Sequence, residues 1–402
     1  MPSYAFTSDE QFVLGLMEQK LMYESYKYNF FARFMKTVKY DRSKDPTDQP
    51  MPPVSPIVVK KEFATKGNHQ MTVPMLRQLT GTEKYGDARL KGNTEGQPLN
   101  YTTVYINQRR NGVNPPSGMS DQYVKPLKLY NEARMQLAQK LGRWTEVQIV
   151  RAFYEKFSQN VTSTGEGGLS VTKVQHPAIF TADAGQVSWS ATAATYASSI
   201  HSAVQALSAN ASEDKMSARA LRLFRTACNK REIPYIEFGN GVAVRPLLMH
   251  ENQYQQLTLD SEYISAQENA NVRHAMKNPL FHGAAGMFAG FLIFVREFSV
   301  FGVSTTSSTT TWGATNPLSA VDTYNYKGAI CFSTNAICGG WAVGPNFTTD
   351  DDDHENYREV GVRIIDGFAR ADYNDTLTEA SVTNSIQKSS AILITSSPDE
   401  WN

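Results

Sequence analysis

Residues 278–298 read NPLFHGAAGMFAGFLIFVREF, with glycines at Gly283, Gly286 and Gly290 and a dense apolar run closed by Arg296 and Glu297. Glycines at short intervals before an apolar run fit a phosphate cradle, a membrane segment, or a piece that makes sense only inside an assembly. The uncharged span from Gly283 to Val295 falls well short of the roughly 20 residues a membrane helix needs. Its glycines lack the Lys-Ser/Thr pair of a P-loop and the spacing of a dinucleotide fingerprint. The nucleotide and membrane readings therefore both fail.

Composition narrows the field. The chain has 402 residues, 41% hydrophobic and 19% charged, with Lys+Arg and Asp+Glu both at 39. That is enough apolar material for a core and too much for a disordered chain. A protein that grips nucleic acid through many phosphates shows a basic excess or stripe, and none is present. Cys228, Cys331 and Cys338 form no even framework and no C-x-x-C pair, so buried or idle thiols are expected. MPSYAFTSDEQF has no basic segment leading into an apolar core, so no secretory signal is expected.

The chain begins with a limb. Ser8 and Gln11 form a capping-box signature. Apolar residues then recur at Phe12, Leu16, Tyr23, Phe30 and Phe34, with Phe31 and Met35 in a companion row, which predicts one amphipathic helix. Five prolines in DRSKDPTDQPMPPVSP (41–56) end it in an extended connector. QMTVPMLRQL (70–79) and PLNYTTVYINQ (98–108) read as strands joined by TGTEKYGDARLKGNTEG, a polar tip with four glycines and six charges. A hairpin with such a tip needs a surface to lie on, because two strands alone are marginal in water.

From Pro126 to Phe157 apolar residues including Leu127, Leu137, Leu141, Val150 and Tyr154 predict one long helix buried along one face. Helices are predicted at 190–210, 212–230 and, as a single element, 251–276; a hairpin at 233–250 turns at Gly239-Asn240-Gly241. YREVGVRIIDGFARADY (357–373) and SAILIT (390–395) close the chain as strands. The class is α+β, with segregated elements rather than alternating βαβ units.

No catalytic constellation emerges. The histidines form no H-E-x-x-H pair; His250-Glu251 fits a surface or helix-start pair. The best metal candidate is the acidic run TDDDDHE, where Asp350–Asp353 and His354 could serve a metal-dependent hydrolase. It lacks the Gly and terminal Glu of a calcium-binding hand, and such blocks are usually solvated loops. No cofactor, no metal and no catalytic residue is assigned.

NPLFHGAAGMFAG, preceded by VRPLLMHENQYQQLTLDSEY (244–263), resembles the major coat proteins of N4-like tailed phages, which share the Hong Kong 97 capsid fold. NFFARFM (29–35) looks like the end of that family's arm helix. VVKKEFATKGNHQMTVPMLRQLTG (58–81) looks like its entry into an extended loop, with Gly67-Asn68 where the family has a Gly-Asp pair. GDARLKGNTEGQPLNYTTVYINQ (86–108) resembles the loop's tip and return, and EVGVRIIDGFARADY (359–373) the closing strand.

The resemblance implies an N-terminal arm (1–62), an extended loop (63–116), a peripheral domain with a spine helix (117–189), an axial domain (190–345) and a return to the peripheral domain (346–402). It implies arm docking through Phe12, Leu16, Tyr23, Phe30, Phe31 and Phe34, and loop-tip contacts through Lys84, Tyr85, Asp87, Arg89 and Lys91. Gly283, Gly286 and Gly290 then become turn and packing positions, with Phe291–Val295 a buried core strand. The implied function is a major capsid subunit forming hexamers and pentamers of an icosahedral shell around double-stranded DNA. Its implied partners are identical subunits, neighbouring capsomers, and portal, scaffold or decoration proteins. Packaged DNA would be touched weakly, as the balanced charge suits, and membranes not at all. The expected location is the virion, after assembly in the host cytoplasm. The shell of an encapsulin-like compartment is the second reading.

Overall fold

A computed structural model describes residues 29–38, 55–60, 70–76, 84–86, 99–114, 129–155, 178–180, 195–197, 215–230, 233–238, 242–271, 285–296, 302–303, 326–352, 357–371 and 389–397. The chain divides into two compact units, each assembled from separated segments.

The first unit takes in residues 1–71, 105–173 and 337–369. Its sheet has the order β1 (Met35–Val38), β2 (Ile57–Lys60), β14 (Ile337–Asp352), β15 (Tyr357–Arg370), β5 (Asn107–Val113). β2 runs parallel to both β1 and β14, while β15 and β5 are antiparallel. A helix, α1 (Leu129–Glu155), is 27 residues long and so about 40 Å end to end. Leu137, Ala138 and Leu141 from its first half pack on Val360, Val362 and Ile364 of β15. Its second half departs from the one-faced expectation: Val147, Ile149, Val150, Ala152, Phe153 and Tyr154 are all buried, so neighbours cover it nearly all round. Burial also pushes the Tyr154 hydroxyl far above its ordinary pKa, because a phenolate there would lose its water.

The expected N-terminal helix does not continue through residue 35. Asn29 is extended (φ −101°, ψ 114°) and its Oδ1 accepts from Phe31 N at 2.9 Å, capping a single 3-10 turn, Phe30–Phe34, before Met35 enters β1. Helical spacing of Phe30, Phe31 and Phe34 survives a 3-10 turn, so apolar period alone could not show the break. Ser55 Oγ donates to Phe34 O at 2.6 Å, pinning the end of the connector to the turn. Residues 1–28, with Phe12, Leu16 and Tyr23, lie outside the described residues.

The second unit holds residues 72–104, 174–336 and 370–402. The path through its nine-stranded sheet is β10 (Gly286–Phe288), β11 (Phe291–Val295), β9 (Val242–Met249), β13 (Tyr326–Phe332), β16 (Ser390–Ser396), β6 (Ala178–Phe180), β7 (Thr195–Ala197). β8 (Ile236–Phe238) is added on β9 and β12 (Gly302–Val303) on β13. β16 is buried at every residue, as a strand between two neighbours and under helices should be. The helices are α2 (Ala218–Lys230), α3 (Glu251–Thr258) and α4 (Ser261–Asn271). Phe224 of α2 stacks on Phe291, with ring centroids 5.4 Å apart.

Several expectations are revised here. Thr195–Ala197 is a strand paired with β6, not part of a helix. The expected helix 251–276 is two helices broken at Leu259-Asp260. The carboxylate of Asp260 accepts from Glu262 N at 2.9 Å and from Ala218 N at 2.8 Å, so one side chain caps both α4 and α2. Residues 390–396 do not return to the first unit; they lie between β13 and β6 in the second. The first unit regains the chain at Ile337, and β5 and β2 belong to its sheet rather than to a free loop or arm. The acidic run is not wholly a loop, because β14 extends through Asp352.

The stretch that decides the reading is a tight hairpin. Phe288 faces Phe291, and the two residues between them have positive φ, 50° at Ala289 and 81° at Gly290. That is the backbone of a two-residue turn matched to strand twist, and only glycine takes the second position without strain. Gly286 is a strand residue and Gly283 lies outside the described residues. Phe291, Leu292, Ile293 and Phe294 are buried as expected, in parallel register with β9.

Candidate assembly surfaces

The extended hairpin consists of β3 (Gln70–Leu76) and β4 (Leu99–Tyr105), a ladder of two strands to which no third strand is added among the described residues. Thr102 and Val104 at the inner end of β4 are buried. At the far end Lys84 and Tyr85 are exposed, Tyr85 at 80%. Asp87, Arg89 and Lys91 lie outside the described residues.

Where the chain leaves the hairpin it enters the first unit. Beyond Ile106 the chain passes into β5, whose register against β15 runs from Asn107↔Asp366 to Val113↔Val360. Arg109 forks onto Asp366: Nε donates to Oδ1 at 2.8 Å and Nη2 donates to Oδ2. The Asp366 side chain is 2% exposed and that of Arg109 15%. Next to it, a Cβ on Gly367 would overlap Tyr105 O, so only glycine lets the chain bring the end of β4 this close. None of Arg109, Asp366 and Gly367 carried a motif in the sequence.

The second unit presents another surface. The guanidinium of Arg222 lies 5.8 Å from the Phe288 ring centroid and pairs with Glu262. Arg222, Arg225, Thr226, Asn229, Phe288 and Ala289 line a shallow depression. Met287, Leu259 and Ile264, on the elements around it, are 48%, 76% and 41% exposed. Behind this surface Arg245 is almost fully buried. Its Nε donates to Ile233 O at 3.0 Å, its Nη1 to Asn229 Oδ1 at 2.8 Å, and its guanidinium stacks 3.9 Å from the Tyr235 ring centroid.

The expected docking residues divide. Phe30, Phe31 and Phe34 are 3%, 0% and 5% exposed within the chain itself, and Phe31 meets Phe153 of α1 at 6.4 Å. Their role is corrected to subunit core; an aromatic row cannot say whether its own chain or a neighbour covers it. His250 is the helix-start residue expected: its Nδ1 accepts from Asn252 N, and Gln253 completes the capping box of α3. Among the described residues no group of His, Cys, Asp and Glu is placed to hold a metal ion, and no helix is long and apolar enough to cross a membrane. The side chains of Asp350–His354 lie outside the description.

Two units built from interleaved segments, the first with a 27-residue helix and the second with most of a two-stranded hairpin, make the fold found in phage capsids. Solved structures with this fold include the capsid of Ralstonia phage GP4 (TM-score 0.58, 17% identity, 86% of this chain and 88% of that one). The acid-stable capsid of Helicobacter pylori bacteriophage KHP30 matches with TM-score 0.53 and 12% identity over 85% and 88%. The capsid asymmetric unit of cyanophage Pam1 matches with TM-score 0.53 and 15% identity over 90% and 100%. No curated protein matches the sequence. The family model for phage capsid protein matches residues 8–394, and the chain belongs to that family. It is a major capsid protein with the Hong Kong 97-type fold, a structural and non-enzymatic component of the virion capsid that self-assembles into capsomers of identical subunits.

Proposed function

We propose that this subunit forms the hexamers and pentamers of an icosahedral shell around double-stranded DNA, with the hairpin β3–β4 laid across the adjacent subunit. The first unit acts as the peripheral domain with α1 as its spine, and the second as the axial domain. The arm residues Phe12, Leu16 and Tyr23 dock on a neighbour, and Lys84, Tyr85, Asp87, Arg89 and Lys91 contact the adjacent subunit from the loop tip. Assembly takes place in the host cytoplasm, with portal, scaffold or decoration proteins as further partners and only weak contact with DNA. The narrower kinship is with N4-like coats.

The observation that carries this reading is the hairpin, which among the described residues is a ladder of two strands with an 80%-exposed tyrosine in the segment between them. A two-stranded ladder is marginal alone, although Thr102 and Val104 at one end of β4 are buried. A limb buried at one end and exposed at residues 84–86 suits contact with a second copy. Deleting residues 82–95 tests it: the subunit is expected to fold with unchanged unfolding midpoint and to lose shell assembly. Normal shells from the deleted chain would remove the role given to the hairpin.

A further inference from the structure

Three cysteines that look unrelated in sequence include two that the fold brings together. Cys228 lies on α2 and Cys331 on β13; both are 0% exposed, and the two thiols lie close enough to influence one another. They share one apolar core with Phe224, Leu247 and Ala391. The positive charge of the Arg245 side chain opposes the effect of burial on Cys331. Neither thiol is bonded, and Cys338 is the third free cysteine. Cys338 lies in the other compact unit.

We propose that Cys228 and Cys331 form a latent crosslink, reduced while the chain folds and closed into a disulfide once the protein meets a small-molecule disulfide. The chemistry balances by exchange. One protein thiol gives up its proton and attacks a sulfur of the oxidant, releasing one small thiolate and leaving a mixed disulfide. The second protein thiol then displaces the second small thiolate. Two protein S–H bonds and the oxidant's S–S bond are lost; one protein S–S bond and two small-molecule S–H bonds are formed. The protein's sulfurs are oxidised and the oxidant's reduced.

Two thiols that share one core and influence one another need less movement to bond than a pair held apart, which would need the backbone to move. The product ties α2 to β13, a strand flanked by β9 and β16. It closes a long loop, the kind of crosslink that most restricts the unfolded chain. Burial also sets the timing. Buried thiols are mostly protonated and shielded, so exchange waits for local opening of the subunit. The pair therefore stays open in a reducing cell and closes slowly outside it. This inference does not depend on how the subunits pack.

The test uses the full chain, purified reduced and incubated with oxidised glutathione, in buffer and again in denaturant just below the unfolding midpoint. It is then denatured, alkylated and mapped by mass spectrometry. Expected are a mass loss of two hydrogens, a peptide linking 228 to 331, an alkylated Cys338, and a raised unfolding midpoint that dithiothreitol reverses. Cys228→Ala and Cys331→Ala each abolish both link and shift, and Cys338→Ala abolishes neither. Three alkylatable thiols after exposure near the midpoint would overturn the proposal. So would glutathione adducts without a link, a link through Cys338, or a link that lowers the midpoint. The wild-type peptide map decides the matter even if a variant fails to fold.

Discussion

Arg109 and Asp366, 257 residues apart in sequence, meet in a two-pronged ion pair that fastens β5 to β15, the closing strand of the first unit. The carboxylate is nearly dry, so the pair matters more for what its loss would strand than for its net attraction. Arg109→Ala leaves a buried carboxylate without its fork. It is expected to lower the unfolding free energy by about 3 kcal/mol, within the range for breaking one side of a buried pair. Urea denaturation of the isolated subunit measures this. A loss under about 0.5 kcal/mol, the scale of an ordinary surface change, would show that the clamp is not structural.

Gly367 allows β15 and the end of β4 to touch. A methyl group there would overlap Tyr105 O, a backbone atom that cannot swing aside. Gly367→Ala is expected to shift or open the β5–β15 ladder and cost more than about 1–3 kcal/mol, the range for overpacking a tight core. Gly344→Ala, where an added Cβ meets nothing within 4 Å, serves as the control and should be near neutral. Hydrogen exchange across residues 107–113 reads the ladder directly. Equal protection in the two variants would contradict the close approach.

Phe31 and Tyr85 were expected to serve assembly together, and the fold separates them. Phe31→Ala empties a fully buried site against Phe153 and is expected to cost about 3–5 kcal/mol in the isolated subunit. Tyr85→Ala, at an 80%-exposed tip, should change subunit stability by no more than about 0.5 kcal/mol while reducing the yield of shells. Thermal melts of the unassembled subunit, paired with light scattering of assembly, distinguish the two. A large melt shift in Tyr85→Ala or none in Phe31→Ala would reverse the assignments.

Cys338 gives a pH signature. Burial pushes its thiol pKa up to about 12 from an ordinary 9.0, because a thiolate in the core would be unsolvated. The folded state therefore keeps a proton that the unfolded chain releases above pH 9. The contribution is fully present below 9.0 and is lost as pH climbs toward 12. In that window Cys338→Ala should lose stability with pH less steeply than the parent, by about 1.4 kcal/mol per pH unit at most. Parallel slopes would mean that Cys338 ionises as freely folded as unfolded.

Local signals in the sequence carried far, and contacts between distant segments did not show. α1 was legible because apolar spacing repeats over many turns, and the β8–β9 hairpin because Gly239-Asn240-Gly241 separates two β-rich runs. β11 was legible as an apolar run with no charge. The break at Asn29 was not, because a 3-10 turn and an α-helix place Phe30, Phe31 and Phe34 almost alike. Most of β14 went unread, since Gly339-Gly340, Pro345 and three aspartates argue against a strand that nevertheless forms, paired with β2 over Ile337–Gly340 and flanked by β15 on its other side. The hairpin's polar tip was visible as a limb in need of a surface. The clamp of Arg109 on Asp366 and the meeting of Cys228 with Cys331 join residues that no local window contains.

The central claim is that copies of this chain cover one another's limbs, and cryo-electron microscopy of the purified, assembled protein tests it most directly. The predicted result is closed shells of capsomers in which density for residues 84–86 lies on the adjacent subunit. Particles that remain single subunits under every assembly condition, with or without scaffold, would contradict the account, as would shells in which each hairpin folds back on its own body.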